Sequence, residues 1–214
     1  MLKSLAVLVL GAGLATGAHA QGASPWQAGK HYFQIEPPQA TTTGDKVEVV
    51  EVFSYACPAC NSIVGVVDGI KKSLPANAEF VLVPAQFGNE AWRVYARALY
   101  TAQALGIAEK AHADVFRAIY VDNKLGQNKV TMEEVADFYS RYGVSAADFL
   151  ATSTSFAVQA RLKRNETLIR AYGVDGTPGF VVNGKYRLSG SSAGGYQQLG
   201  ELINYLVAKE SASN

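Results

Sequence analysis

The stretch EVVEVFSYACPACNSIVGVV, Glu48 to Val67, decides the fold. Val47 to Phe53 (VEVVEVF) is a β-branched run of seven residues, the length and composition of a buried central strand. A helix is expected to begin near Cys57, with Pro58 at or beside its first position, where a missing N–H costs nothing. Ile63, Val66, Val67 and Ile70 recur at i, i+3, i+4, i+7 and carry that helix on. SLPANAE ends it, and Glu79 to Val83 (EFVLV) reads as a second strand. The unit is β-α-β, for which a right-handed crossover between parallel neighbours is the default.

Cys57 and Cys60 are the only cysteines in 214 residues. Disulfides act as staples in secreted chains below about 80 residues, whereas this chain is large and 49% hydrophobic, enough to bury a core unaided. A bridge closing a four-residue ring also stabilises little, because the loop-entropy contribution shrinks with loop length. The pair therefore reads as chemical. Cys57 lies at the helix mouth, where free N–H groups and the positive end of the macrodipole favour a thiolate, and Cys60 sits one turn inside and is the more buried. Cys57 would form mixed disulfides with a partner and Cys60 would resolve them. A passive bridge is a second reading. Half of a zinc site is a third, but it needs more ligands than His31 and His112 comfortably supply.

Residues 1–20, MLKSLAVLVLGAGLATGAHA, pair one early cation, Lys3, with an apolar run from Leu5 to about Leu14 and an Ala-x-Ala ending at Ala20. This is the pattern of a cleavable secretory signal, with Gln21 as the mature start. A retained anchor is the alternative, although the apolar run is short of the roughly 20 residues a span needs. With Lys3 removed, cations and carboxylates balance, which argues against a nucleic-acid or anionic-membrane partner.

Gln21 to Thr43 reads as an extended lead-in with one short edge strand. From Asn89 to about Thr152 the character is helical: EAWRVYARALYTAQALG places Trp92, Tyr95, Ala96, Leu99 and Ala102 on one face, and EKAHADVFRAIY, TMEEVADFYSRYG and DFLATS follow. A further helix, Phe156 to about Tyr172, ends at Gly173 as a C′ residue. A strand from Phe180 to Val182, the tight-turn dipeptide Asn183-Gly184, a returning strand from Tyr186 to Leu188 and a last helix from about Tyr196 to Lys209 close the chain.

Gly176-Thr177-Pro178-Gly179 precedes the Phe180 strand, and Pro178 there is open to two readings, an ordinary turn device or a cis Thr177–Pro178 bond. Glu51 shares a strand face with Val47, Val49 and Phe53, a carboxylate among apolar neighbours six residues before Cys57; an edge-strand carboxylate facing water is the other reading. Arg161, Lys163, Arg164 and Arg170 read as the solvated face of a helix, and the sequon Asn165-Glu166-Thr167 falls inside that helix and carries no weight.

FSYACPAC after a strand, a helical insertion, and GTPGFVVNGKY together resemble the thioredoxin superfamily. The insertion and the leader look like its periplasmic thiol:disulfide oxidoreductases, the DsbA family. The likeness runs from about Trp26 to Lys209. It implies an α/β thioredoxin-like fold over residues 21–88 and 153–214, interrupted by an all-helical domain over 89–152. It further implies that Cys57 is the nucleophilic cysteine and Cys60 its partner in a redox-active disulfide. Pro178 would be a cis-proline facing that disulfide, and Thr177 would offer backbone to a client peptide beside Pro58 and Ala59. Glu51 would be an acid taking part in proton transfer to Cys60. The implied setting is the periplasm, with reduced, unfolded exported proteins as clients, a DsbB-like membrane quinone reductase as re-oxidant, a monomeric state, and neither metal nor cofactor. Two departures stand out. The most oxidising members carry His where this chain has Ala59, and the buried lysine expected on the next strand is missing from EFVLVPAQF.

Without that His, a helix terminus worth about 0.3 to 1 kcal/mol, at most about 2, lowers the Cys57 pKa by no more than roughly 1.5 units. Hydrogen bonds from the Ala59 and Cys60 N–H groups and from the Cys60 thiol must do the rest. A thiol reductase or isomerase kept reduced by a donor remains open, though no long dimerisation segment precedes the Val47 strand. So does a chaperone-like binding module with an inert bridge.

Overall fold

The computed structural model describes residues 24–212, so the leader and Gln21 lie outside the described residues. Five strands form one sheet: β1 (Phe33–Gln34), β2 (Val47–Phe53), β3 (Ala78–Pro84), β4 (Gly179–Val182) and β5 (Tyr186–Leu188). Their order is β1-β5-β4-β2-β3, with β2 and β3 parallel and the other pairs antiparallel. The βαβ expectation holds, and the lead-in supplies the short edge strand.

Every residue of β2 is buried, because both sheet faces are covered. On one face Val47, Val49, Phe180 and Val182 meet Val67 and Ile70 of α2 (Val64–Ser73) and Leu199, Leu202, Ile203 and Leu206 of α8 (Tyr196–Ser211). On the other, Val50, Val52 and Val181 meet Ile169 and Tyr172 of α7 (Phe156–Tyr172). Period-two alternation within an all-apolar strand thus feeds two different helix layers.

Between β3 and α7 run α3 (Glu90–Ala104), α4 (Ala108–Tyr120), α5 (Met132–Tyr139), a 3₁₀ turn (Ser140–Tyr142) and α6 (Ala146–Ser153). Local chemistry starts α3, α5, α6 and α7. Asn89 accepts from Trp92 N–H, Thr131 and Glu134 form a reciprocal capping box, and Ser145 and Ser155 cap α6 and α7. Tyr95, Ala96, Leu99 and Ala102 are buried as expected, while Trp92 is half-buried against Phe87. Gly173 ends α7 at φ 65°. Asn183 and Gly184, at φ 52° and 64°, make the tight turn, and a Cβ on Gly184 would lie 2.0 Å from the Gln39 carbonyl oxygen.

The sequence period misleads at Ile63. The expected single helix is two, α1 (Pro58–Ser62) and α2, broken at Ile63 with φ −110° and ψ 7°. The Ser62 hydroxyl donates to the Ala59 carbonyl at 2.8 Å, and the Ile63 N–H turns to the Cys60 carbonyl at 3.2 Å instead. A side chain competing for a backbone acceptor is enough to interrupt the ladder.

Phe180 is fully buried at the middle of the sheet, between Glu51 on β2 and Leu188 on β5. Phe180→Ala is expected to cost about 3 to 5 kcal/mol, lowering the thermal midpoint by on the order of 10 °C. Calorimetry checks this, and a drop under about 2 °C would contradict the packing described.

Candidate active site

Cys57 is the N-cap of α1 and Pro58 its first residue. The turn before it is fixed by Ser54, whose carbonyl accepts from Cys57 N–H at 3.1 Å and whose hydroxyl accepts from Ala56 N–H at 3.2 Å. The extended φ, ψ of Cys57 aim its sulfur back at the opening helix, and Cys60 N–H donates to Cys57 Sγ at 3.4 Å. Both cysteines are free thiols; Cys57 is 5% exposed and Cys60 1%, in the expected order. Pro58 and Ala59 beside them are exposed.

Thr177, half-buried, arrives from the loop before β4. As a thiol, Cys57 donates to the Thr177 carbonyl oxygen at 3.6 Å across 120 residues of sequence. Pro178 is buried, and of the two readings of Thr177–Pro178 the bond is cis.

Hydrogen bonding from the Cys60 thiol, first, and then from the Thr177 side chain and the Cys60 and Ala59 backbone N–H groups, brings Cys57 down to about 5 against the opposing effect of burial. The donors expected from the sequence are present, and Thr177 adds one that it did not announce. Because α1 is only five residues long, these bonds rather than a helix dipole dominate. Cys60 is driven strongly upward by its hydrogen bond to Cys57 and by burial. One sulfur is held as thiolate at the expense of its neighbour.

Glu51 lies one strand-face step from Phe53, 3% exposed, with Leu82 opposite it on β3 and Phe180 on β4. The reading of an edge carboxylate facing water is overturned, since β2 is flanked on both sides. Burial lifts Glu51 to about 8, Lys71 pulls it down, and the charges of Cys57 and Asp68 add to the rise.

Other neighbours carry no signal in the sequence. His112 of α4 is packed between Phe53, Tyr55 and Phe116 and shares a 2.9 Å hydrogen bond through Nδ1 with Tyr55 Oη. Burial, then Lys71, lowers it to about 3, so it stays neutral at ordinary pH. Gln127 Nε2 donates to the Ala56 carbonyl at 3.2 Å, and Tyr196, 36% exposed, borders the Thr177–Pro178 loop. Asn165, buried in α7, donates to the Pro84 carbonyl; Arg161, Lys163, Arg164 and Arg170 are exposed, as expected.

A β-α-β unit with a dithiol at its helix mouth, closed by a β-hairpin whose leading loop touches the outer sulfur, is the arrangement of a thioredoxin-fold thiol:disulfide oxidoreductase. The DSBA-like thioredoxin domain family matches residues 48–199, and the chain belongs to that family. It is 38% identical over 191 residues to the thiol:disulfide interchange protein DsbA of Pseudomonas aeruginosa, covering 89% of each chain. It is 35% identical to that of Pseudomonas syringae pv. tomato, covering 92% of this chain and 90% of the relative. The crystal structure of Pseudomonas aeruginosa DsbA superposes with a TM-score of 0.80 at 37% identity, over 88% of this chain and 96% of that one. The fold is thioredoxin-like with a helical insertion, and the chain is an enzyme of thiol:disulfide interchange.

Proposed function

We propose that the chain is an oxidant, passing a Cys57–Cys60 disulfide to reduced, unfolded exported proteins in the periplasm. A client thiolate attacks Cys57 Sγ, the Cys57–Cys60 bond breaks, and Cys60 leaves with the electron pair. A second client thiolate then attacks the client sulfur of the mixed disulfide and expels Cys57 as thiolate.

The observation that carries the direction is the set of donors on Cys57 Sγ. With Cys57 ionising near 5, almost all of it is thiolate at pH 7, about 30 times the fraction of an ordinary thiol near 8.5. Intrinsic nucleophilicity falls by roughly the same factor over that span, at a Brønsted slope of about 0.4–0.5. Attack gains little and departure gains much. A sulfur built to leave hands its disulfide on.

The other roles follow from position. A client segment adding as a strand along Thr177 would bring its cysteine to the sulfur 3.6 Å from that carbonyl, with exposed Pro58 and Ala59 on the far side and buried Pro178 shaping the loop. Glu51, protonated at neutral pH, is the store that supplies a proton to Cys60 as it departs. Residues 89–152 form a helical domain inserted into the thioredoxin-like domain of 21–88 and 153–214, and its apolar cluster runs on into Phe53, Tyr55 and Cys60 at the site. Residues 1–20 act as the cleaved leader, the protein works as a monomer, and a DsbB-like membrane quinone reductase restores the disulfide.

Equilibration with glutathione tests the direction. The potential is expected to lie well above thioredoxin's, about −270 mV, with the protein oxidised at steady state in cells; a value at or below thioredoxin's makes it a reductase. In the same titration Ala59→His should raise the potential, because an imidazolium beside Cys57 favours the thiolate. No change or a fall refutes that effect.

A further inference from the structure

We propose that Lys71 is a positioning residue that holds the charged form of Glu51 and lets it exchange its proton with solvent through the groove between α2, β3 and α4. This rests on the reading of Glu51 as the proton store for Cys60. The groove, about 910 Å³, has Lys71 and Asp68 on its α2 wall, Phe80 and Leu82 on β3 and His112 on α4. Glu51 is enclosed just behind it. Leu82 is its register partner, and in a parallel pair such partners share a sheet face. Lys71 Nζ sits over the Phe80 ring at 5.0 Å, one strand-face step from Leu82, and the His112 ring lies 5.5 Å from Phe53, one step from Glu51 on its own strand. Leu82 is the residue that β3 sets opposite Glu51, and the cation acting on Glu51 comes from α2.

The charges around Glu51 are few. From β3, Glu79 is held by Lys46 at 3.1 Å, and β4 offers Phe180. The sheet-facing residues of α8, Leu199, Leu202, Ile203 and Leu206, are apolar. On α4, His112 is neutral through the working range and Glu109 lines the groove, as does Arg161 of α7. At the end of the strand Cys57, Cys60 and Tyr55 oppose a second negative charge, as does exposed Asp68. Lys71 is the group that favours the carboxylate, with an effect larger than that of either Cys57 or Asp68 taken singly.

The step balances within the chain. As Cys60 departs from the disulfide as thiolate, the Glu51 O–H bond breaks and a Cys60 S–H bond forms. The carboxylate left behind is favoured by the positive charge of Lys71, and a proton from solvent entering by the groove restores the acid. Without Lys71 the carboxylate is less favoured and the proton is released at higher pH.

Single-turnover oxidation of a dithiol peptide, followed from pH 5 to 10 with each rate divided by the peptide's own thiolate fraction, tests this, with the Glu51 carboxyl titrated in parallel by ¹³C NMR. Glu51→Gln is expected to abolish the limb near pH 8. Lys71→Met should move that limb and the carboxyl titration upward by on the order of half to one pH unit. Lys71→Arg should leave both in place, and in the Glu51→Gln background Lys71→Met should change nothing further. Thermal midpoints confirm that each variant is folded. A limb that stays put in Lys71→Met but vanishes in Glu51→Gln overturns the role of Lys71 alone. A limb that survives Glu51→Gln removes the Glu51 reading and this one with it. Equal shifts in Lys71→Arg and Lys71→Met, or a shift that persists without Glu51, would trace the effect to packing or another group and overturn it as well.

Discussion

Cys60→Ser is expected to turn the protein into a covalent trap, taking up glutathione at Cys57 by exchange with oxidised glutathione and then holding client thiols that displace it, whereas Cys57→Ser accumulates no such reductant-sensitive adducts and loses all exchange activity. The asymmetry comes from one turn of helix. Cys57 presents its sulfur at the helix mouth with four hydrogen-bond sources favouring its thiolate, and it lies next to the Thr177 loop where a client strand would dock. Cys60 sits beneath it, 1% exposed and strongly disfavoured as thiolate while Cys57 is charged. In Cys60→Ser the outer sulfur still reacts, but nothing within reach can displace the client. In Cys57→Ser the remaining thiol is both covered and protonated at neutral pH. Non-reducing electrophoresis and intact mass read the adducts directly. Adducts on Cys57→Ser and none on Cys60→Ser would reverse the roles.

The reduced protein is expected to gain stability over the oxidised one as pH rises from about 5 to about 8.5, by on the order of a few kcal/mol in total. The sign follows from linkage. Cys57 has a folded-state pKa depressed below its unfolded value, so between the two values the unfolded chain binds more protons and stability increases with pH. The contribution is complete above the unfolded value and is lost as pH falls through about 5. In the disulfide form neither sulfur titrates, so the effect is absent there. Glu51, raised to about 8, acts in the opposite sense, but it is present in both forms and largely cancels in their difference. Urea unfolding of both forms at pH 4, 6 and 8 measures this. The gap should widen at close to 1.36 kcal/mol per pH unit within the window. A gap that stays level means the thiolate is not stabilised by folding, and the case for a disulfide donor falls with it. The same free energy appears as an oxidising potential, because whatever stabilises the dithiol makes the disulfide easier to give away.

Much of this was legible in local patterns. β-branched runs, cap residues and the Pro58 and Gly173 signals place strands and helices because they report backbone preferences that act over a few residues. The Cys57-Pro58-Ala59-Cys60 spacing places both thiols on one turn for the same reason. Local rules also set their own limit at Ile63, where the apolar period continues but the Ser62 hydroxyl takes the carbonyl that the ladder needs.

What a chain of residue types determines by itself is which segment becomes strand or helix and which thiol stands at a helix mouth, since those depend on neighbours within one or two turns. Tertiary structure alone decided that Thr177 reaches Cys57, that Gln127 ties down Ala56, and that His112 and Lys71 flank the strand carrying Glu51. Desolvation and Coulomb interactions depend on distance in space. No periodicity in sequence encodes a hydrogen bond closed over 120 residues, or a lysine supplied by a helix where a neighbouring strand has leucine.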